Sequence, residues 1–393
     1  MKNFEFYTPT RVIFGRDTET KVGELIQEYG CRKVLVHFGG QSAKKSGLLD
    51  RVYASLKEHS VDYISLGGAQ PNPLLSLVEK GIALCKAEGV DFILAVGGGS
   101  VIDSSKAIAY GLANDFPVWN IYGRISAPKA CAPVGCIVTI AAAGSEMSDS
   151  SVITNDLDGN QKRGFSSNLC RPKFAIMNPE LTYSLPAYQT ASGCTDIIMH
   201  TLERWFTAHT DNSELIDGIA VSVIKTVIHN APILLKDPHN YNARAEVMWA
   251  GSLSHNGTTG PVGDGDWGSH QLEHELGGMF NVTHGAGLAA VWPAWAHYVY
   301  KDNITRFAQL AERVFGVSLD GGQEHAALEG IRLMTEFFAS INMPVTLTQL
   351  GLNLSDEQCE TLAYNCTWKK TRTIGAVKKL GLEDIAAIYK AAR

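Results

Sequence analysis

The sequence predicts two domains of different class: an α/β domain with a Rossmann-like sheet over residues 1–185 and a helical domain over residues 186–393. Three observations carry this. The 393 residues exceed what one hydrophobic core ordinarily fills. In the first half, short β-branched runs alternate with amphipathic stretches. After Leu185-Pro186 the strand signals fade and helical periods take over. In chain order, Val34 to Phe38 reads as a buried strand ended by Gly39-Gly40, and Gly47 to His59 as a helix. Val61 to Leu66 is the next strand. Leu74 to Glu88 is helical by period, with Leu74, Leu77, Val78, Ile82 and Cys85 on one stripe. Phe92 to Val96 is a strand, Gly97-Gly98-Gly99-Ser100 a turn, and Val101 to Leu112 a helix. This βαβαβ order implies a parallel sheet covered on both faces. Cys136 to Ile140, Ser151 to Thr154 and Phe174 to Met177 are further strands. The second half carries helical segments near 189–207, 213–235, 241–255, 268–276, 286–299, 303–315, 324–341, 355–366 and 382–392. The junction near Asn178-Pro179 to Pro186 is expected to set a crevice between the halves, where sites tend to form.

Composition removes several function classes. Apolar residues make up 45% and charged residues 19%, which supports large cores rather than disorder. A net charge of −6 without any basic run argues against a nucleic-acid partner. The eight cysteines are scattered with no Cys-x-x-Cys, as in a reducing cytoplasm. Residues 1–6 lack the apolar region of a signal peptide. The stretch Ala130 to Ser145, free of Asp, Glu, Lys, Arg and His, is broken by Pro133 and Gly135 and is too short to span a bilayer. A cytoplasmic location with no membrane partner is expected.

Two glycine segments follow predicted strands. Gly97-Gly98-Gly99-Ser100, before a helix, would let a backbone approach a pyrophosphate, with free N–H groups and a positive dipole end behind it. The usual dinucleotide fingerprint fails here, because Ile102 occupies the third glycine position. A tight strand–helix turn explains three glycines equally well. Gly39-Gly40-Gln41-Ser42 is a second place for a nucleotide. No carboxylate stands between Phe38 and Lys45 to bind a ribose 2′-hydroxyl, and Lys44-Lys45 would attract a 2′-phosphate. A solvated helix start explains the lysines as well.

Most of the twelve histidines need no special account: His37, His59, His209, His229, His239, His297 and His325 stand alone. His270, His274 and His284 cluster, and Asp196 and His200 lie four apart on a predicted helix, hence on one face. His270 and His274 repeat that spacing on a helix that Gly277-Gly278 is expected to end, with His284 in the following loop. Imidazole and carboxylate ligands from separate helices suit Zn²⁺ or Fe²⁺. Five candidates exceed the four of a tetrahedral site, so one histidine has another role. His270-Gln271-Leu272-Glu273-His274 also satisfies the inverted metallopeptidase motif H-x-x-E-H. That reading leaves the glycine segments and the Asp196/His200 pair without a task.

Taken together, several segments resemble the iron-containing (group III) alcohol dehydrogenases, most of all their NADP-preferring butanol dehydrogenases and broad aldehyde reductases. These are Gly97-Gly98-Gly99-Ser100-x-x-Asp103-x-x-Lys106, Pro71-Asn72-Pro73, Gly144-Ser145-Glu146 and Gly265-Asp266-Trp267-x-x-His270-x3-His274-x9-His284-Gly285. The resemblance runs from Thr10-x3-Phe14-Gly15 to the C-terminal helices. It implies the dehydroquinate synthase-like fold, with a dinucleotide-binding domain over 1–185, a metal- and substrate-binding helical domain over 186–393, and cofactor and metal in the cleft between. It implies Asp196, His200, His270 and His284 as metal ligands, with His274 beside the substrate as a proton relay. Gly98, Gly99, Ser100 and Asp103 would hold the pyrophosphate and nicotinamide side of NADP(H), with NAD(H) also accommodated. Asn72, Thr139, Ser148 and Lys162 would complete the cofactor site, and Gly39, Gly40, Gln41 and Ser42 would lie near the adenosine ribose. The chain differs from the family at Ala143, where a Thr is common, at Ser148, where Asn occurs, and at Gln41, which replaces a common Gly. A homodimer built by strand exchange at the N-terminus is also implied, and Phe4 to Phe14 has suitable β character.

The activity implied is reduction of a small neutral aldehyde such as butyraldehyde, or the reverse oxidation of the alcohol, with one Fe²⁺ or Zn²⁺ as Lewis acid. A rival class is an NAD- and zinc-dependent lyase, since dehydroquinate synthases resemble this family. Such a site needs many basic residues for an anionic substrate, whereas Gly251 to Ala296 contains no Lys or Arg. Trp267 and Phe280 are candidate pocket walls. A peptidase would ignore NADPH, and a non-enzymatic binding module would leave the ligand set unexplained.

Overall fold

The β-branched runs of the first half assemble into one parallel sheet. A computed structural model of the chain describes residues 3–207, 213–260 and 265–393; His209 lies outside the described residues. The strands are β1 (Arg11–Phe14), β2 (Lys33–Phe38), β3 (Asp62–Leu66), β4 (Phe92–Gly97), β5 (Val134–Val138) and β8 (Phe174–Met177), in the order β1-β8-β5-β4-β2-β3. An antiparallel ribbon of β6 (Ser150–Asn155) and β7 (Gln161–Ser166) stands apart from it. The helices of this half are α1 (Val22–Glu28), α2 (Ser42–Lys45), α3 (Leu48–Glu58), α4 (Leu75–Glu88), α5 (Gly99–Ala113) and α6 (Trp119–Tyr122). Alternate residues of the strands meet different helices. Val34, Val36, Phe92, Leu94, Val96, Ile137 and Ile176 form one core with Val22, Leu25 and Ile26 of α1 and with Leu49, Val52 and Leu56 of α3. The central strand β4 is buried along its whole length, as a strand covered on both faces must be.

The second half is helical: α7 (Ala187–Trp205), α8 (Glu214–Lys236), α9 (Tyr241–His255), α10 (Gly268–Phe280), α11 (His284–Val299), α12 (Ile304–Leu310), α13 (Gln323–Ser340), α14 (Asp356–Cys366) and α15 (Leu382–Ala391). The chain divides into a unit Tyr7–Leu185 and a unit Pro186–Arg393 that also takes in residues 3–6. A Rossmann-like parallel sheet followed by a helical domain is what the sequence predicts. Helix α8 is, by length and composition alone, apolar enough to cross a membrane. It packs on α7 and α9, and its Asp217 forms a buried ion pair with Arg306 at 2.7 and 2.9 Å.

Five local expectations need correction. Helix α10 does not stop at Gly277-Gly278; it runs to Phe280, where Asn281 closes it in the left-handed conformation (φ 52°). His284 is not in a loop but is the first residue of α11. The segment 303–315 is α12 followed by a π turn over 311–315. The fifth strand lies at Val134–Val138 rather than 136–140; its last ladder bond to β4 runs from the Thr139 N–H to the Gly97 carbonyl (3.1 Å). Only β1 of the Phe4 to Phe14 segment is a strand; it adds in parallel to β8.

His37 is fully buried on β2. Its Nδ1 donates to the Leu66 carbonyl (2.8 Å), which leaves Nε2 to accept from the Ser104 hydroxyl (2.7 Å). Burial drives its pKa down to about 4. The unfolded chain, with an ordinary imidazole, therefore binds the extra proton first. The stabilisation is complete above pH 6.5 and is lost as pH falls towards 4. We expect the unfolding free energy of the wild type to drop by about 2–3 kcal/mol more than that of His37→Gln between pH 7 and 4.5. Equal pH dependence of the two in urea titrations would contradict this.

Candidate active site

In the unit Tyr7–Leu185, β2 and β4 are neighbours, with Phe38 opposite Val96. Their crossovers leave in opposite directions, β2 to β3 and β4 to β5. Such a switch point, at the carboxyl ends of parallel strands, is where open α/β sheets bind ligands. The two glycine segments end these two strands, so the fold brings together what the sequence separates by more than fifty residues. Gly39 lies against Val101, and Thr139 joins the group through its bond to the Gly97 carbonyl. Gly98 is the residue before α5, whose first turn holds Gly99 and Ser100. The glycines also have a packing reason: a Cβ on Gly98 would come within 3.0 Å of Ile140, and one on Gly99 within 3.0 Å of Ala143. Gln41 and Ser42 are exposed at the start of α2, and Lys44 extends over the Phe38 ring.

Asn72, buried and left-handed (φ 56°), and Lys162 lie on either side of Thr154. The Thr154 N–H bonds the Pro73 carbonyl at 2.8 Å, and Thr154 is paired with Lys162 across the ribbon. Asp103 and Ser148 have structural work. The Asp103 carboxylate accepts from the Ser145 hydroxyl (2.6 Å) and the Val152 N–H (2.9 Å). Ser148 is fully buried and accepts from Lys106.

In the unit Pro186–Arg393, three helices converge on Asp196 Oδ1. His200 Nδ1, one turn on along α7, lies 3.2 Å away; His284 Nε2 on α11 is at 3.6 Å and His270 Nε2 on α10 at 3.7 Å. Asp196, His270 and His284 offer ligand atoms that all lie within 4.8 Å of one another. His200 attaches through Asp196. Close packing brings the helices in: a Cβ on Gly285 would lie 2.0 Å from the Ser192 carbonyl oxygen on α7. Asp196 Oδ1, His200 Nδ1 and His270 Nε2 are buried and make no hydrogen bond among the described residues. Buried polar atoms without partners are costly, and a cation among them would satisfy all three. The donor set fits a divalent metal.

The second nitrogens are held too. His270 Nδ1 and its own N–H both donate to Glu203 Oε1 (3.1 and 2.9 Å), and His284 Nδ1 donates to Glu273 Oε2. Both glutamates are buried. Each Nδ1–H so fixed leaves an Nε2 lone pair aimed at the centre, the arrangement that orients histidine ligands. The Glu273 bond also answers the peptidase motif, whose catalytic glutamate is here occupied with His284. Burial pushes the Asp196 carboxyl up, but His284 and His270 outweigh it and hold it below its ordinary value. Burial, then His270, Arg204 and His284, drive His200 well below its own. His270, against burial, is held up to about 9 by Asp196 and Glu203. The field therefore draws positive charge to the point between Asp196 and His270.

His274 is buried on α10 with its ring 6.0 Å from that of His284, outside the three-residue group. Trp267, left-handed at φ 58°, faces His270 and His200 at 5.4 and 6.2 Å between ring centres. Asp266 clamps the start of α10, accepting from Gly268 (2.9 Å), Ala376 (2.7 Å) and Val377 (2.8 Å). Sequence reasoning did not single out Glu203, although it continues the helical stripe Asp196, His200, Glu203. It also missed Arg204, which stands one helical turn beyond His200, and His255, which has no pattern partner nearby in sequence.

The chain is similar to known proteins along its whole length. Residues 9–179 match the family model described as iron-containing alcohol dehydrogenase, and residues 190–393 match its C-terminal counterpart. A probable NADH-dependent butanol dehydrogenase 1 of Bacillus subtilis is 39% identical over the whole of both chains. An NADPH-dependent aldehyde reductase of Escherichia coli is 34% identical, again over the whole of both. The crystal structure of an NADH-dependent butanol dehydrogenase A from Thermotoga maritima superposes with a TM-score of 0.95 at 36% identity, covering 100% of this chain and 99% of that one.

Proposed function

This chain belongs to the iron-containing alcohol dehydrogenase family and is an NAD(P)-dependent alcohol dehydrogenase, and from that premise we propose that it reduces small neutral aldehydes such as butyraldehyde with NADPH. The observation that carries the proposal is the convergence of three imidazoles on the buried Asp196 Oδ1. Asp196, His200, His270 and His284 would hold one Fe²⁺ or Zn²⁺. When bound, such an ion supplies Lewis acidity to the oxygen that gains negative charge as hydride reaches the carbonyl carbon.

The chain's own residues supply the rest. Glu203 and Glu273 keep the His270 and His284 rings in the tautomer that points Nε2 inward. His274 would pass the proton that the product alcohol needs. Backbone N–H groups at Gly98, Gly99 and Ser100 would hold the pyrophosphate at the start of α5. Thr139, Asn72 and Lys162 would line the cofactor's path, with Gly39, Gly40, Gln41 and Ser42 at the ribose and Asp103 and Ser148 supporting the loop. The segment Gly251 to Ala296 is free of Lys and Arg. Arg204 reaches its edge, but its donors go to His200, Ser254 and His255. That supports a neutral substrate over a carboxylate-bearing one. A cytoplasmic homodimer is the form we expect.

Cofactor choice rests on residues 39–45, which offer no carboxylate to a 2′-hydroxyl and place Lys44 and Lys45 at the surface. With butyraldehyde, kcat/KM is expected to favour NADPH over NADH by about tenfold or more, near 1.4 kcal/mol. Lys44→Glu with Lys45→Glu is expected to erase that preference. A wild type that favours NADH would overturn the cofactor assignment and leave the reaction standing.

A further inference from the structure

Two of the imidazoles around Asp196 have a buried carboxylate on their second nitrogen; among the described residues His200 has none. Its ring is bounded instead by His255, the last residue of α9, with 4.1 Å between ring centres and 65° between planes. Arg204, one turn beyond His200 on α7, ties the two together. Its Nη1 donates to the His200 carbonyl (3.1 Å) and to the Ser254 carbonyl (3.0 Å), and its Nη2 approaches His255 Nδ1 at 3.3 Å. The guanidinium lies over the Trp267 ring, 4.6 Å from its centre. Gly260 makes room for the Arg204 stem, since a Cβ there would stand 2.7 Å from that of Arg204.

A guanidinium only donates, so His255 Nδ1 keeps its lone pair for Arg204 and the ring's proton sits on Nε2. A ring so engaged has no lone pair to offer a metal. We propose that His255 is a positioning residue of the metal centre: held by Arg204, it fixes the ring of His200 as Glu203 and Glu273 fix the rings of His270 and His284. The proposal rests on the assignment of the Asp196 cluster as a metal site.

The test is titration of metal-stripped full-length protein with Co²⁺, following the visible absorption band and the dissociation constant. His255→Leu is expected to weaken Co²⁺ binding by about 10- to 100-fold and to shift the band. His255→Asn, whose Oδ1 can accept from Arg204, is expected to recover affinity to within about threefold of the wild type, whereas His255→Phe, a ring without an acceptor, is not. Metal-free circular dichroism spectra of the variants are expected to match, which separates positioning from misfolding. Unchanged affinity and spectrum in His255→Leu, or full recovery in His255→Phe, would overturn the proposal and leave the metal site intact. A wild type that binds no Co²⁺ would overturn the metal assignment itself, and this proposal with it.

Discussion

Asp196→Asn is expected to lose its metal on dialysis and to lower kcat/KM for aldehyde reduction by about 10³-fold or more. Asp196 Oδ1 is the atom that His200, His270 and His284 all face, at 3.2, 3.7 and 3.6 Å. The carboxylate is buried, and its charge is what makes a cation there favourable. An amide of the same size keeps the packing of α7 but removes the charge and turns one donor into the centre. Lewis-acid stabilisation of a developing oxyanion amounts to several kcal/mol, and about 4 kcal/mol corresponds to a 10³-fold rate loss. Elemental analysis of the dialysed variant and steady-state kinetics check both parts. Full metal content with kcat/KM within about tenfold of the wild type (near 1.4 kcal/mol) would remove Asp196 from the ligand set.

Lys106→Met is expected to destabilise the unit Tyr7–Leu185 by about 3–5 kcal/mol without touching the metal site. Lys106 is fully buried, and its ammonium donates to the carbonyls of Ser145 (2.7 Å), Ser148 (3.0 Å) and Ser150 (2.8 Å). It also meets the hydroxyls of Ser145 (3.0 Å) and Ser148 (3.3 Å). Methionine fills nearly the same volume, so no large cavity forms. The cost arises because the carbonyls remain buried and lose their donor; an apolar replacement is neutral only when both partners change. Urea denaturation followed in the first unit, with metal content as control, reads the loss. A change below about 1 kcal/mol would mean that water replaces the ammonium.

The parallel sheet was legible because β2, β4 and β8 are buried apolar runs, and burial on both faces is what such runs imply. β7 was not legible: Gln161 to Ser166 is polar and takes its extended form from pairing with β6. The end of α10 was misread because the flexibility of Gly277 and Gly278 is no obstacle inside a packed helix; Gly277 is buried and Asn281 supplies the left-handed cap. Within the site, i,i+4 spacing exposed Asp196 with His200 and His270 with His274. Spacing could not tell that His284 would approach Asp196 while His274 stayed outside the group, since that depends on how α11 packs on α7 at Gly285. Nor could it bring in His255, whose contact with Arg204 spans 51 positions.

The central claim is that a metal held by Asp196, His200, His270 and His284 is needed for hydride transfer to an aldehyde. Its most direct test is NADPH oxidation with butyraldehyde by metal-stripped protein, before and after addition of Fe²⁺ or Zn²⁺. Activity that is absent without metal and returns on adding one of these ions is the predicted result, and it would name the competent ion. A metal-independent rate would contradict the claim. So would silence towards aldehydes in protein with metal restored and nucleotide bound, which would shift the scaffold towards a lyase.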